Sequence, residues 1–244
     1  IDHAIRWWND FIDNEKFLVF LGDNIIQKPI ADFVENFNKS DYDATVLLCE
    51  VDNPSRFGIA DVKNEKIVKI TEKPKKPTSN LAVTGIYLLT PLIFGIIDNL
   101  KPSWRNELEI TDALDNLLKQ NDNIGYETIT DYWKDTGTPE DILNANRQVL
   151  EHICNQTNYN PSRIGKNCKI DKSASIGPNV SIGDDTIISS DVVIENSIIM
   201  SGCTIDGGLN IKDSIISANC HLHGNNKDKT KKVFLLGEGT KITL

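Results

Sequence analysis

The sequence has no long apolar run, no basic stretch beyond one short loop, and no paired cysteine motif. Its most apolar segment, residues 85–97, is interrupted by Thr90, Pro91 and Gly95. A membrane-spanning helix needs about 20 apolar residues, so no membrane partner is expected. The densest cationic stretch is Lys73-Pro74-Lys75-Lys76, and the net charge is −9. Binding a nucleic-acid backbone takes clustered Lys and Arg, so no nucleic-acid partner is expected either. A phosphorylated substrate would need a cation as intermediary. The five cysteines, Cys49, Cys154, Cys168, Cys203 and Cys220, are widely spaced with no Cys-x-x-Cys pair. That pattern speaks against zinc and dithiol motifs and fits reduced thiols in a cytoplasm. An initial Met is also missing. Ile1 leads straight into an amphipathic stretch with Ala4, Ile5, Trp8, Phe11 and Ile12, as expected of a chain that begins inside a domain. Trp7 and Trp8 are read as helix packing rather than as a base-stacking pair.

What is present suffices for two domains. The 244 residues are 39% hydrophobic and 25% charged, the balance of a globular protein with a real core. Up to about residue 150, helical and extended patterns alternate. Helices are expected over 2–13, 29–39, 91–99, 109–120 and 139–152, and strands over 16–21, 43–51, 58–62, 66–72, 82–89 and 124–130. Helices interleaved with short apolar strands predict an α/β domain with a largely parallel sheet. The last helix carries its own start signal. Thr138 can cap it, Pro139 suits its first position, and Glu140 and Asp141 favour the positive end of the helix dipole.

After Pro161 the period changes. Ile164, Ile170, Ile176, Ile182, Ile188, Ile194 and Met200 recur every six residues. Four places after each stands a small or β-branched side chain: Cys168, Ala174, Val180, Thr186, Val192, Ile198 and Thr204. A period of six is neither helical nor alternating. It fits a triangular coil of about 18 residues whose inward aliphatics stack from coil to coil. The register is expected to slip by one at Ile205, with Gly207-Gly208 absorbing the slip. Three to four coils of parallel β-solenoid, closing on the run 233–244, would serve structure and assembly rather than chemistry.

Three segments could carry the chemistry. The strand 16–21 ends in Leu21-Gly22-Asp23-Asn24, and ligands of open α/β sheets gather at the carboxyl ends of strands. Asp23 is there either a metal ligand or part of an ordinary Asp-Asn turn. Asp135, within Tyr132-Trp133-Lys134-Asp135-Thr136-Gly137-Thr138, is either its partner or a common helix-start acid. Two strand-end carboxylates far apart in sequence are how an α/β enzyme usually holds Mg²⁺ on a phosphate, because Mg²⁺ keeps several waters. Glu72-Lys73-Pro74 ends a strand with opposite charges on neighbouring residues, which point to opposite faces. A glutamate can accept sugar hydroxyls and a lysine can neutralise a phosphate; a solvated turn is the alternative. His221 and His223 invite a metal or acyl-transfer role, but with no third ligand type nearby they read as surface residues.

Several segments stand in the order and rough spacing of the sugar-1-phosphate nucleotidyltransferases. They are Leu21-Gly22-Asp23-Asn24, Arg56-Phe57-Gly58-Ile59-Ala60, Glu72-Lys73-Pro74 with Ala82-Val83-Thr84-Gly85-Ile86-Tyr87, and Trp133-Lys134-Asp135-Thr136-Gly137-Thr138. Trp104-Arg105-Asn106-Glu107-Leu108-Glu109-Ile110-Thr111-Asp112-Ala113 matches a further stretch, and Leu235-Leu236-Gly237 resembles the closing strand. The chain most resembles long-form glucose-1-phosphate thymidylyltransferases, which carry a C-terminal hexapeptide-repeat β-helix. That resemblance implies a Rossmann-like α/β nucleotidyltransferase domain followed by a left-handed parallel β-helix. It implies that Asp23 and Asp135 hold a catalytic Mg²⁺, that Lys73 binds the sugar phosphate, and that Glu72 and the Gly58 backbone read sugar hydroxyls. Asn24 would lie beside the substrate, Val83 and Tyr87 would line the sugar pocket, Arg105 would add positive charge, and Trp133 would join the substrate-binding set. The implied reaction is attack of a sugar-1-phosphate oxygen on the α-phosphate of dTTP or UTP. Pyrophosphate leaves and an NDP-sugar forms, as in dTDP-sugar biosynthesis, in a cytoplasmic homo-oligomer joined through the β-helix.

The family's Gly-rich phosphate loop, its catalytic Arg and its base-reading residues are not in this sequence. Gly237-Glu238-Gly239-Thr240 echoes such a loop but reads as a solenoid-end turn. The expected division is a nucleotidyltransferase domain over 1–152 without that loop, a linker over 153–163, and the β-helix with its tail over 164–244. On this reading the chain keeps the sugar half and the metal carboxylates and is itself inactive. Two alternatives stand beside it: a bifunctional nucleotidyl- and acyltransferase, and a non-catalytic regulatory homologue that binds a sugar nucleotide.

Overall fold

The structure is a computed structural model that describes residues 2–103, 106–120, 123–153, 161–225 and 230–244. Contacts divide the chain into two compact units, Ile1–Asp135 and Thr136–Leu244. The strands of the first unit are β1 (Phe17–Phe20), β2 (Asn24–Ile26), β3 (Ala44–Glu50), β4 (Ile59–Lys63), β5 (Lys66–Thr71), β6 (Leu81–Leu89), β7 (Ile124–Thr128) and β8 (Trp133–Asp135). The helices of the chain are α1 (Asp2–Trp7), α2 (Asn9–Ile12), α3 (Ala31–Lys39), α4 (Leu92–Asp98), α5 (Ile110–Lys119) and α6 (Pro139–Ile153).

Six strands form one sheet in the order β5-β4-β6-β3-β7, with β1 also on β6, while β2 and β8 make a separate ribbon. β3 pairs along one edge of β6. The other edge is shared, by β4 at Ala82 and by β1 from Ile86 to Leu89. β6 runs antiparallel to β1, β3 and β4, and β3 with β7 is the parallel pair, which corrects the expectation of a largely parallel sheet. The reason lies between residues 59 and 89, where three strands follow one another with no helix between them. Short connections of that kind join antiparallel neighbours, whereas a parallel pair needs a crossover.

Both faces of the sheet are covered. Val46, Leu48, Val83, Tyr87 and Leu89 pack with α4 and α5 through Ile93, Phe94, Ile97, Leu114 and Leu117. Leu47, Ile86 and Leu88 enter the opposite core with Phe33 and Phe37 of α3. Successive residues of β3 and β6 are therefore buried on opposite sides, which is why those strands read as unbroken apolar runs. The helix expected over 2–13 instead breaks at Trp8 into α1 and α2. Ile5 is buried, but Trp7, Trp8 and Phe11 are 85%, 54% and 77% exposed, so neither tryptophan enters the core. Trp8 meets Phe11 edge to face at 5.5 Å.

In the second unit, α6 starts as its sequence predicts. Thr138 Oγ1 accepts from Asp141 N at 3.2 Å and donates to Asp141 Oδ2 at 2.7 Å. The helix packs on the solenoid. Asn146 Nδ2 donates to Asn179 O at 3.0 Å, and Ser181 Oγ donates to Asn146 Oδ1 at 2.5 Å. The compact units thus divide ahead of α6, whereas the sequence-based division groups that helix with the first domain.

The described residues between 162 and 243 wind into three parallel sheets of five, five and four strands. Ser162 pairs with Val180 and Lys169 with Ile187, so the first coils hold 18 residues. Further on, Ser181 pairs with Ile198 and Thr204 with His221, a spacing of 17. The slip therefore falls between Ile194 and Ile199, not at Ile205. Ile199 is 1% exposed and Met200 45%, so Met200 leaves the inward series. Ser197 and Cys203, both fully buried, replace Ile198 and Thr204 at the small inward positions. The shortened corner is Glu195-Asn196-Ser197, and Ser197 repairs it. Its Oγ donates to Glu195 O at 2.6 Å and accepts the N–H of Ser214 at 3.0 Å. Ser214 repeats the device one coil on, donating to Lys212 O at 2.8 Å and accepting from Phe234 N at 2.9 Å. A buried backbone N–H left unpaired would cost about 1–3 kcal/mol, so these serines let the shorter coil close.

The register makes a direct prediction. Ile199→Ala is expected to cost about 2–5 kcal/mol of stability and Met200→Ala less than about 0.5 kcal/mol. Urea unfolding of the two variants reads the difference, and the reverse order would put the slip back at Ile205. No described helix is long and apolar enough to cross a membrane.

Candidate active site

The site forms where the two strands sharing one edge of β6 part from each other. β1 peels away at Leu21, whose N–H donates to Gly85 O at 2.8 Å. β4 is approached through Gly58, whose carbonyl accepts from Val83 N at 2.8 Å. Between these two points Gly85 N donates to Asn24 Oδ1 at 3.3 Å. A side chain at Gly85 would bring its Cβ within 2.9 Å of both Asn24 Cγ and Leu21 Cδ1, so glycine is what lets the Asp23 turn close onto β6.

Asp23 lies in that turn and is exposed. Asn24 then enters the ribbon opposite Asp135, with Ile25 opposite Lys134 and Ile26 opposite Trp133. This register sets Asp23 and Asp135 at the same end of the ribbon. Asn24 and Trp133 are buried, at 8% and 9% exposure. Trp133 Nε1 donates to Asn24 Oδ1 at 2.7 Å, and Asn24 Nδ2 donates to Asp23 Oδ1 at 2.9 Å. The indole meets Phe57 edge to face at 5.7 Å.

Two residues along β6 from Gly85, the other cluster gathers around Gly58. Lys73 N donates to Phe57 O at 3.1 Å, with Lys73 at a φ of 38°, in the left-handed region that a lysine seldom occupies. Thr111 Oγ1 donates to Glu72 Oε2 at 3.0 Å, and Glu72 Oε1 lies 3.9 Å from Lys73 Nζ. The Glu72 side chain is 16% exposed and that of Lys73 39%. A Cβ on Gly58 would come 2.5 Å from Thr111 Cγ2 and 3.2 Å from Glu72 Oε2, so the three residues are fitted to one another. Thr111 was not singled out from sequence. Its only signal is a polar residue among Ile110, Ala113, Leu114 and Leu117 on the buried side of α5.

Val83 and Tyr87 lie on the Gly85 face of β6 and are buried, at 7% and 4% exposure. Arg105, with Trp104, lies outside the described residues. In α5, burial pushes the Asp112 carboxyl above the usual carboxylate range, with Glu109 and Asp115 adding to the effect and Lys119 opposing it. Burial likewise raises the Cys49 and Cys203 thiols, which keeps them protonated and poorly nucleophilic. On the solenoid, His223 Nδ1 and His221 Nε2 stand 2.5 Å and 3.5 Å from the two oxygens of Asp206, with both rings more than half exposed.

Among the described residues no group of three or more His, Cys, Asp or Glu could hold a metal ion. Asp23 and Asp135 offer two carboxylates at one ribbon end, an all-oxygen donor set. Such a pair suits Mg²⁺, which fills its remaining positions with water and substrate oxygens, and suits thiophilic metals poorly.

A mixed α/β sheet with two carboxylates at a parted edge precedes a parallel solenoid, and comparisons with known proteins find relatives of both parts. Residues 1–152 match the family model described as Nucleotidyl transferase, and residues 159–243 match that of the GMPPB C-terminal domain. The chain belongs to the nucleotidyl transferase family, with a Rossmann-like nucleotidyltransferase domain and a C-terminal β-solenoid of about four turns. The low-salt glycan biosynthesis nucleotidyltransferase Agl11 of Haloferax volcanii is 46% identical over 150 residues, 61% of this chain and 42% of that protein. A glucose-1-phosphate thymidylyltransferase of Streptomyces antibioticus is 39% identical over 153 residues, 62% of this chain and 43% of that protein. This chain therefore matches less than half the length of these curated relatives. Among solved structures, a Bacillus anthracis chain described as a candidate glucose-1-phosphate thymidylyltransferase in complex with a sucrose has a TM-score of 0.56 at 42% identity. That match covers 65% of this chain and 62% of the other.

Proposed function

We propose that the protein transfers a nucleotidyl group from dTTP or UTP to a hexose-1-phosphate such as glucose-1-phosphate, giving an NDP-sugar and pyrophosphate. The observation that carries this reading is the meeting, within two residues of β6, of the Asp23–Asp135 ribbon end with the Gly58–Glu72–Lys73 cluster. The names of the Streptomyces and Bacillus relatives support glucose-1-phosphate as the acceptor.

In this reading Asp23 and Asp135 hold Mg²⁺, which when bound neutralises charge on phosphate oxygens. The Lys73 ammonium takes the sugar phosphate. Thr111 holds one oxygen of Glu72, and the carboxylate accepts a sugar hydroxyl. The bare backbone at Gly58 lets the sugar ring approach closely. Val83 and Tyr87 wall the pocket, Arg105 adds positive charge, and Asn24 and Trp133 lie beside the substrate. One phosphate oxygen of the sugar forms the new bond to the α-phosphorus as the bond to pyrophosphate breaks. The nucleophile is already an anion, so no side chain needs to remove a proton, and alignment with charge neutralisation supplies the catalysis. The reading includes a cytoplasmic homo-oligomer joined through the solenoid. An outward column of Ile198, Ile215 and Leu235 on one of its sheets supports that part.

Isothermal titration with glucose-1-phosphate tests the sugar site. Lys73→Ala is expected to weaken binding about 10-fold or more, the scale of a lost hydrogen bond to a charged group. Lys75→Ala, two residues away, should leave binding unchanged. Equal binding by Lys73→Ala and the parent would remove Lys73 from the site.

A further inference from the structure

The amide of Asn24 has one permitted orientation. Its Oδ1 faces two groups that can only donate, the Trp133 indole N–H at 2.7 Å and the Gly85 backbone N–H at 3.3 Å. The oxygen must therefore point toward them, and the donor group Nδ2, which also lies against Gly85, is left for Asp23. Nδ2 donates to Asp23 Oδ1 at 2.9 Å. At 8% exposure the amide has almost no solvent to turn into. Trp133 is held in turn by its place in the core cluster that includes Phe33 and Phe37 and by Phe57 against its ring. It also starts the three-residue strand that ends in Asp135, opposite Asn24. One buried indole and one buried amide thus tie the solvent-facing Asp23 to the ribbon that carries Asp135.

We propose that Asn24 and Trp133 are positioning residues for a divalent cation: the Trp133 N–H orients Asn24, and the Asn24 Nδ2–H fixes the rotation of the Asp23 carboxylate. The proposal rests on the reading of Asp23 and Asp135 as the cation ligands. A hydrogen bond to one carboxylate oxygen sets the plane of the group, so the other oxygen is presented in a defined direction before any cation arrives. Partners of this kind behind a ligating carboxylate typically change metal affinity about 10- to 100-fold. Asn24 and Trp133 then act on the cation through Asp23, whatever contact either makes with a sugar.

The test is Mn²⁺ binding to the full chain without nucleotide or sugar, read from the electron paramagnetic resonance signal of free Mn²⁺. The parent should bind and Asp23→Asn should lose the site. Trp133→Phe keeps an aromatic ring but removes the donor, and it should bind about 10-fold more weakly. Asn24→Ala should fall at least as far, and thermal unfolding without Mn²⁺ establishes that each variant is folded. Parent-like Mn²⁺ affinity in Trp133→Phe and Asn24→Ala, with loss in Asp23→Asn, would overturn the positioning role and keep the ligand reading. Parent-like affinity in Asp23→Asn, or no binding by the parent, would overturn both.

Discussion

Asp135→Asn is expected to lower pyrophosphate release from dTTP and glucose-1-phosphate by about 100- to 1,000-fold, the scale of losing one group that stabilises transition-state charge. The substitution keeps the shape of the side chain and the backbone pairing of Asp135 with Asn24, so the ribbon should persist. What it removes is one of two negative charges at the ribbon end. An amide oxygen is a weaker ligand for a hard cation than a carboxylate, and a pair of ligands has little redundancy. Variant and parent are assayed at equal protein concentration, with thermal unfolding as a check on the fold. Undiminished turnover would take Asp135 out of the cation site and leave it as a helix-start acid.

Gly85→Ala is expected to cost about 1–3 kcal/mol of stability, the usual scale of overpacking, and to weaken cation and sugar-phosphate binding together. The new Cβ would lie 2.9 Å from Asn24 Cγ and from Leu21 Cδ1. Asn24 cannot swing clear without breaking its bond to Trp133, and Leu21 is tied to Gly85 O through its own N–H. The strain therefore passes to Asp23 on one side and to the departure of β1 on the other. Gly95→Ala is the contrast. Gly95 sits inside α4 with nothing within 4 Å of an added Cβ, so that change should stabilise by up to about 1 kcal/mol through helix propensity. Urea unfolding with parallel titrations of Mn²⁺ and glucose-1-phosphate separates the two. Full binding by a destabilised Gly85→Ala would show that the turn and the site are independent.

The parts of this fold that sequence made legible are those with long, two-sided burial. β3 and β6 carry apolar residues on both faces, and the six-residue period of the solenoid repeats often enough to survive one error. The register slip was misplaced because Ile198, Ile199 and Met200 are three aliphatics in a row, and hydrophobicity cannot say which one points inward. The informative residue was Ser197, whose buried hydroxyl closes the short corner, and a serine in a polar turn carries no such label. Strand direction was missed for a similar reason, since apolar runs report burial and not polarity of pairing. At the site, Asp23, Asp135, Glu72 and Lys73 stood out as charged residues at strand ends. Their convergence depends on a ribbon of only three residues a side, Asn24 to Ile26 against Trp133 to Asp135, too short to have a pattern of its own. Thr111 was silent because its function is a single hydrogen bond made from inside an apolar helix face.

The most direct test of the central claim, that the parted edge of β6 is a cation-assisted sugar-phosphate site, is a crystal structure with glucose-1-phosphate and Mn²⁺. An anomalous Mn²⁺ peak is expected at Asp23 and Asp135, with the sugar phosphate on Lys73 and a sugar hydroxyl on Glu72. Ligand bound elsewhere, with Asp23 and Asp135 in solvent and no anomalous peak beside them, would contradict the account.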